Sequence, residues 1–459
     1  MIHFTLEQVL NATSGQLLVS AQRLFTGVST DTRTIQPGDL YVALRGERVN
    51  GHDFLQQARD KGAAGAIVEE SIPGVRRRHT VNGEWTIIEV TDTLYALGQL
   101  AKFHRMRFKL PVIGITGSAG KTTTKEMTAA ILAQSRQVLK THGNFNNEIG
   151  LPLTLFQLTN DHEAAVVEFG MRGRGQISYL ASIAQPTVGI ITNIGVTHLE
   201  LLGSQDEIAL AKAELLDEMT RQTTAVLPRH DKYFPLLSEH APGQIVTVGD
   251  ADDCDIWISD VRLGEDGCAM FILHNAGTDI PIHLSAPGRH QVLNALAAAA
   301  ATSVIGATAQ DIQQGLASYT PEKGRMRAVH ASRGFTVIDD TYNANPPAVR
   351  ATLDFLAEVP GGRKIAILGD MLELGPTERD IHREIGKYAM QLGIDTLLAV
   401  GELGQEYIAG ANDTRAHWCP DNTTAAAAVL HDVQPGDIVL VKGSRAMKME
   451  EIVAAITAE

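Results

Sequence analysis

ITGSAGKTTTKE, from Ile115 to Glu126, stands between an apolar β-rich run, PVIGIT (Pro111–Thr116), and a helical pattern, TTKEMTAAILAQS (Thr123–Ser135). Glycines at such a strand-to-helix turn let successive backbone N–H groups converge on phosphate oxygens, and the helix N-terminus adds partial positive charge. In that arrangement Thr116, Gly117, Ser118, Ala119, Gly120 and Thr123 line the phosphates, Lys121 bridges to the terminal ones, and Thr122 turns its hydroxyl to Mg²⁺. The spacing departs from the usual GxxxxGK[ST]: Ile115 stands where the first glycine would, and Gly117 and Gly120 flank a shorter turn. The strand, loop and helix match as well as the letters do, so the segment predicts an ATP or GTP site in an α/β sheet. The loop leaves open where the phosphoryl group goes.

Outward from the loop, short apolar runs alternate with helical patterns almost throughout, which predicts an α/β chain with mostly parallel sheets. Three blocks are expected. The first, residues 1–88, holds strands at DLYVAL, AIVEE and TIIEV and a helix at DFLQQARDKGA, forming a small N-terminal α/β domain. The second, residues 89–318, is the central P-loop domain with a parallel sheet. It adds buried strands at AAVVEF and TVGIITNI and closes with an Ala-rich helix after His290. The third, residues 319–459, repeats strand and helix regularly (FTVID, KIAILG, TLLAVG, DIVLVKG) and reads as a Rossmann-like domain. A length of 459 residues suits that number at roughly 100 to 200 residues per domain.

Composition narrows the function. A net charge of -14 argues against a protein that wraps nucleic acid or sits on an anionic membrane, so an anionic ligand must be held by local cations. Acidic and basic side chains balance in the first block, and the acid excess lies in the other two. Cys254, Cys268 and Cys419 are too few and too far apart for a disulfide framework, which suits a reducing cytoplasm. The N-terminus lacks the pattern of a signal peptide, and no apolar run approaches the roughly 20 residues of a spanning helix, so a cytoplasmic protein without membrane insertion is expected. Nothing in the composition demands more than a monomer.

Glu168 and His198 follow strands whose C-terminal ends face the phosphate loop, the edge at which open α/β sheets bind ligands. Mg²⁺ prefers oxygen ligands, so Glu168 is a natural candidate and His198 a less usual one. Lys212 lies on a helical pattern, ALAKAELLDEM, fourteen residues further on, where an ordinary solvated lysine is the plain alternative.

Together these positions resemble the Mur ligases, the ATP-dependent amino-acid and peptide ligases of peptidoglycan synthesis, over essentially the whole chain. TGSAGKTTT is similar to that family's phosphate motif. The resemblance implies ATP, two Mg²⁺ ions held with Thr122, Glu168 and His198, and a carbamylated Lys212 as a further ligand. It implies adenine contact by Asn294 in GRHQVLNALAAAA, although the family often has Asn where this chain has Gln291. Arg325 in GRM is then expected at the γ-phosphate, and Asp340 in IDDTYNANP at the ribose.

Within the family, THGNFNNEIGLPLTL, DDTYNANP, LGDMLELG and VKGSRAMKMEE resemble the member that joins D-alanyl-D-alanine to UDP-N-acetylmuramoyl-tripeptide. STDTRTIQPGDLYVALRGERVNGHDF resembles a UDP-binding domain, with Thr30, Arg33 and Arg45 at the UDP end; Arg48 is a further candidate and the run Arg76–Arg78 reads as a solvated loop. Asn144, Asn146 and Asn147 offer uncharged donors and acceptors suited to amides and hydroxyls. Tyr342, Asn343, Asn345, Ser444 and Arg445, with Lys442 beside them, are expected to shape the dipeptide pocket. Other ligases on the same scaffold remain the near alternatives; a P-loop switch would need neither the Asn cluster, Lys212 nor a third domain carrying Arg325, and a small-molecule kinase would form no amide product.

Overall fold

The structure is a computed structural model that describes residues 3–46, 48–69, 85–197, 199–264 and 267–458. Three larger sheets, each with its own layers of helices, organise the chain. The first has five strands in the spatial order Gln16–Val19, Thr86–Val90, Gly65–Glu69, Asp39–Val42 and Gly27–Ser29. The last four are mutually parallel and the first is an antiparallel edge. Its last strand ends at Val90, so a division at residue 88 falls inside that strand. The Arg76–Arg78 run lies outside the described residues.

The central sheet has nine strands. Val112–Thr116 sits inside it with Ala164–Glu168 on one side and Val188–Ile191 on the other, all parallel and fully buried. The chain therefore leaves the phosphate-loop strand in one direction and returns on its other side, which makes its C-terminal end a topological switch point, where a crevice opens between diverging loops. Beyond Gln244–Gly249 and Ile256–Leu263 the sheet departs from the parallel expectation: Cys268–Asn275 and Thr278–Pro287 extend it as antiparallel strands. Ile280, Ile282 and Leu284 alternate with exposed residues there, the pattern of a sheet with one wet face.

The helix Lys121–Leu132 packs against the Ala-rich helix Gln291–Val304, in which Ala295 to Ala301 are almost wholly buried. Small side chains let the two helices approach closely, and this is why the Ala run belongs to a core. Among the described residues no helix is long and apolar enough to cross a membrane. The third sheet runs Arg327–His330, Thr336–Asp340, Ile438–Lys442, Lys364–Gly369, Thr396–Val400 and Ala416–Cys419, parallel except at its first edge.

Candidate functional site

The phosphate loop is fixed before any ligand is considered. Gly117 has φ +149°, and a Cβ there would stand 1.9 Å from Thr192 Oγ1; Gly120 has φ +79°, and a Cβ there would stand 2.1 Å from Asn294 Oδ1. No side chain fits either place. Ser118 N–H donates to Asn193 O (3.1 Å), Ala119 N–H donates to Asn193 Oδ1 (3.1 Å), and Thr192 Oγ1 donates to Ala119 O (2.6 Å). Thr116 Oγ1 donates to Phe169 O (3.1 Å), tying the loop's first residue to the neighbouring strand end. Residues 192–195 thus mould the loop from one side and Asn294 from the other.

Lys121 opens the helix and donates from Nζ to Gly117 O at 2.8 Å, folding back over the loop. Burial lowers its pKa; the carboxylate of Glu168 opposes that shift, and the charge of Arg325, from the third block, adds to it. Thr122 Oγ1 donates to Glu168 Oε2 (2.9 Å), and Asn146 Nδ2 donates to Glu168 Oε1 (2.8 Å). Glu168 is buried at the end of its strand, its N–H bonded to Thr141 Oγ1 (3.1 Å). Thr123 is buried in the same first turn and is hydrogen-bonded to the Tyr319 hydroxyl.

Lys212 lies on the helix Gln205–Asp217 and is 2% exposed. Burial, with the nearby charge of Lys121, holds its amine well below the ordinary lysine pKa. Its ammonium makes no hydrogen bond or ion pair among the described residues. A lysine on a solvated helix face, the plain alternative in the sequence, is therefore not what the fold contains. His198 lies outside the described residues; just before it, Thr197 Oγ1 donates to Ser118 O (3.5 Å) at the phosphate loop.

On the other wall Asn294 is nearly buried, accepting from Thr124 Oγ1 (3.4 Å) and donating to Gln291 Oε1 (2.8 Å). The glutamine in place of the family's asparagine thus orients the Asn294 carboxamide. Arg325 stacks its guanidinium over the Tyr342 ring at 3.8 Å, and its Nε is buried with no hydrogen-bond partner. Asp340 accepts from Met326 N–H (3.1 Å) and from Lys442 Nζ (2.5 Å), a buried pair. Lys442 also donates to Asn343 O (2.9 Å), so its charge is engaged at Asp340 and is not turned outward to a ligand carboxylate.

The substrate-side candidates are differently placed. Thr30 and Arg33 follow the strand Gly27–Ser29 and Arg45 follows Asp39–Val42, all at C-terminal strand ends of the first sheet. Arg33 is 85% exposed and its guanidinium grips Asp31 (2.6 Å); Arg45 bridges to Asn50 through the backbone. Asn144 is exposed. Asn147 turns its Oδ1 to Ile149 N–H (3.2 Å) and Gly150 N–H (2.8 Å), starting the helix Gly150–Leu155, so Asn146 alone of the three reaches Glu168.

Asn343, Asn345, Ser444 and Arg445 line a cavity of about 620 Å³ together with Val196, Thr197 and Leu199 from the central block. Asn345 Oδ1 caps the helix Pro346–Glu358, and Ser444 Oγ accepts from Leu372 N–H (2.9 Å). Arg445 is exposed, with Glu450 at 3.0 Å. No site residue is expected from the sequence in Leu372–Thr377, which forms one wall of the cavity with Leu372 and Leu374; the LGDMLELG stretch is the sequence signal that points to it.

Family models match along the chain in order: "Mur ligase family, catalytic domain" over residues 24–105, "Mur ligase middle domain" over 115–302 and "Mur ligase, glutamate ligase domain" over 324–445. The UDP-N-acetylmuramoyl-tripeptide–D-alanyl-D-alanine ligase of Synechocystis sp. is 40% identical, covering 94% of this chain and 92% of its own length. The ligase of the same name from Bacillus subtilis is 36% identical over 99% of this chain and 98% of its own. Among solved structures, MurF from Acinetobacter baumannii superposes with a TM-score of 0.92 at 33% identity, covering all of both chains. MurF ligase from Thermotoga maritima, solved in complex with ADP, gives 0.84 at 29% identity over 94% of this chain and 97% of its own.

Proposed function

The chain belongs to the Mur ligase family, and from that premise we propose that it joins D-alanyl-D-alanine to UDP-N-acetylmuramoyl-tripeptide at the expense of ATP, in peptidoglycan precursor synthesis. The observation that carries the reading is the convergence, at one sheet edge, of Lys121, the Thr122–Glu168 pair and Arg325 from the third block, beside a cavity shared by the central and third blocks. A carboxylate oxygen of the tripeptide attacks the γ-phosphorus of ATP, the bond to the bridging oxygen breaks, and ADP leaves an acyl phosphate. The dipeptide amine then attacks the acyl carbon, loses a proton, and phosphate departs.

Two anions must meet in the first step, so the work of the protein is neutralisation and alignment. Lys121 leaves Gly117 O for the phosphates, the loop N–H groups cradle them, those of Ser118 and Ala119 after leaving Asn193, and Arg325 meets the γ-phosphate from the third block. Asn294 contacts the adenine and Asp340 the ribose. Thr122 and Glu168 present oxygen donors to one another within hydrogen-bond distance, a donor set that fits Mg²⁺; with His198 and a carbamate on Lys212 they would hold two ions. Mg²⁺, when bound, supplies positive charge to the phosphate oxygens. The depressed pKa of Lys212 supports carbamylation, since only a neutral amine captures CO₂.

Residues 1–88 bind the UDP end through Thr30, Arg33 and Arg45, residues 89–318 bind ATP, and residues 319–459 bring Arg325 and the dipeptide pocket of Tyr342, Asn343, Asn345, Ser444 and Arg445. Asn144, Asn146 and Asn147 face the sugar-peptide. The protein acts as a cytoplasmic monomer; its three buried cysteines form no disulfide, which supports a reducing compartment. Mass spectrometry of a reaction with ATP, UDP-tripeptide and D-alanyl-D-alanine tests the reading. The amide product should form only when all three are present, and ADP release with another amino acid at the same rate would overturn it.

A further inference from the structure

The segment Tyr319–Arg325 leads from the central block into the third, and it is tied twice to the helix that carries the phosphate loop. The buried Tyr319 hydroxyl bonds Thr123. Three residues on, the Glu322 carboxylate stands 3.7 Å from the ammonium of Lys125 through Oε1 and 3.7 Å from Arg325 Nε through Oε2, with the like-charged Glu126 beside it. Arg325 N–H also donates to Glu322 O at 3.1 Å.

Lys125 is the unusual member. Its side chain is wholly buried in the second turn of the helix Lys121–Leu132, where a lysine would ordinarily reach water. Its ammonium donates to Thr141 O (2.8 Å) and pairs with Glu126 (2.7 Å), whose other oxygen pairs with Lys140. Thr141 in turn accepts from Glu168 N–H. One desolvated cation therefore braces the strand end that sets Glu168 and, through Glu322, the segment that sets Arg325. Buried pairs of this kind are poor sources of stability, but they fix one arrangement against its alternatives.

We infer that Glu322, held by Lys125, is a positioning residue for Arg325. It aligns the guanidinium from the side of Nε while the Tyr342 ring supports its face, leaving the terminal nitrogens for the terminal phosphate. Arg325 Nε is buried with no hydrogen-bond partner among the described residues, and the Glu322 carboxylate at 3.7 Å is the acid that faces it. The inference rests on the proposed contact of Arg325 with the γ-phosphate.

A double-mutant cycle on kcat in the full chain separates the two claims. Glu322→Ala should lower kcat about 10-fold with the KM for UDP-tripeptide changed less than about 2-fold, and in an Arg325→Ala background it should lower kcat by less than about 2-fold. Equal factors in both backgrounds would overturn the inference, because Glu322 would then act independently of the arginine. If Arg325→Ala alone leaves kcat unchanged, the γ-phosphate reading fails first. Glu322→Gln keeps the shape without the charge, so it replaces Glu322→Ala should that variant not fold, and the same non-additivity is required of it.

Discussion

The phosphate side and the substrate side of this site are built on opposite physical terms. Around the phosphate loop, Thr122, Glu168, Lys212 and Asn294 are all at least nine-tenths buried, and each except Lys212 bonds a partner from another element. On the substrate side, Arg33 and Arg445 are 85% and 64% exposed, and each is paired with an acid close to it in sequence. Desolvated groups act strongly on charge that develops between them, whereas exposed pairs contribute little and exchange partners at little cost. On the proposed reading, ATP chemistry rests on a preformed site, and the cations on the substrate side can change partners when an anion arrives.

The largest effect that would break this contrast lies at Lys121. If Lys121 faces the terminal phosphates as proposed, Lys121→Ala removes a positive charge from a partly water-excluded site, and ADP formation should fall by about 10³-fold or more. A loss below about 10-fold, measured by a coupled ADP assay at saturating substrates, would mean that the preformed loop is not where the charge is stabilised.

Lys212 gives the next largest effect and sharpens the contrast by its chemistry. A neutral buried amine favours reaction with CO₂, and the product is an oxygen anion at a place where an ammonium would repel a divalent cation. Lys212→Ala should lower kcat by about 10²-fold, and millimolar acetate or propionate should restore part of the loss. The sign with pH follows from the lowered pKa: the neutral amine persists to lower pH than an exposed lysine would allow, and acidification through its folded pKa should release CO₂ and activity together. A variant that no short carboxylate rescues would show that the amine itself is what the site uses.

What could be read from the letters follows the same division. ITGSAGKTTTKE specifies its own turn, because the glycines and the Lys-Thr pair act within a few residues, and Glu168 follows from the end of an apolar run. The pair of Lys442 and Asp340 could not be read, since it depends on two strands 102 residues apart lying side by side in register. Lys125 and Glu322 are equally hidden in the letters, since a helix and a segment far along the chain meet only in the fold. The antiparallel extension at Cys268–Pro287 escaped for a different reason: Pro281 breaks the run that would have marked a strand, and a proline is tolerated there because that strand is the sheet's edge. His198 was named from its strand end, and it lies outside the described residues.

The smallest effect is expected at Arg445, and it tests the substrate side alone. Arg445 stands at the rim of the cavity that holds Asn343, Asn345 and Ser444, with the apolar wall of Leu372 and Leu374 opposite. A dipeptide with small methyl side chains would lay those methyls on the wall and its carboxylate on the guanidinium, which must first leave Glu450. Exchange of one exposed carboxylate partner for another yields little net energy, so Arg445→Ala should raise the KM for D-alanyl-D-alanine by about 5- to 10-fold while leaving the KM for ATP within about 2-fold. Glu450→Gln removes the competing acid and should shift the same KM the other way. If both substitutions change the KM for ATP as much as that for the dipeptide, the two sides of the site are not separate, and the division between a preformed phosphate site and an exchangeable substrate rim does not hold.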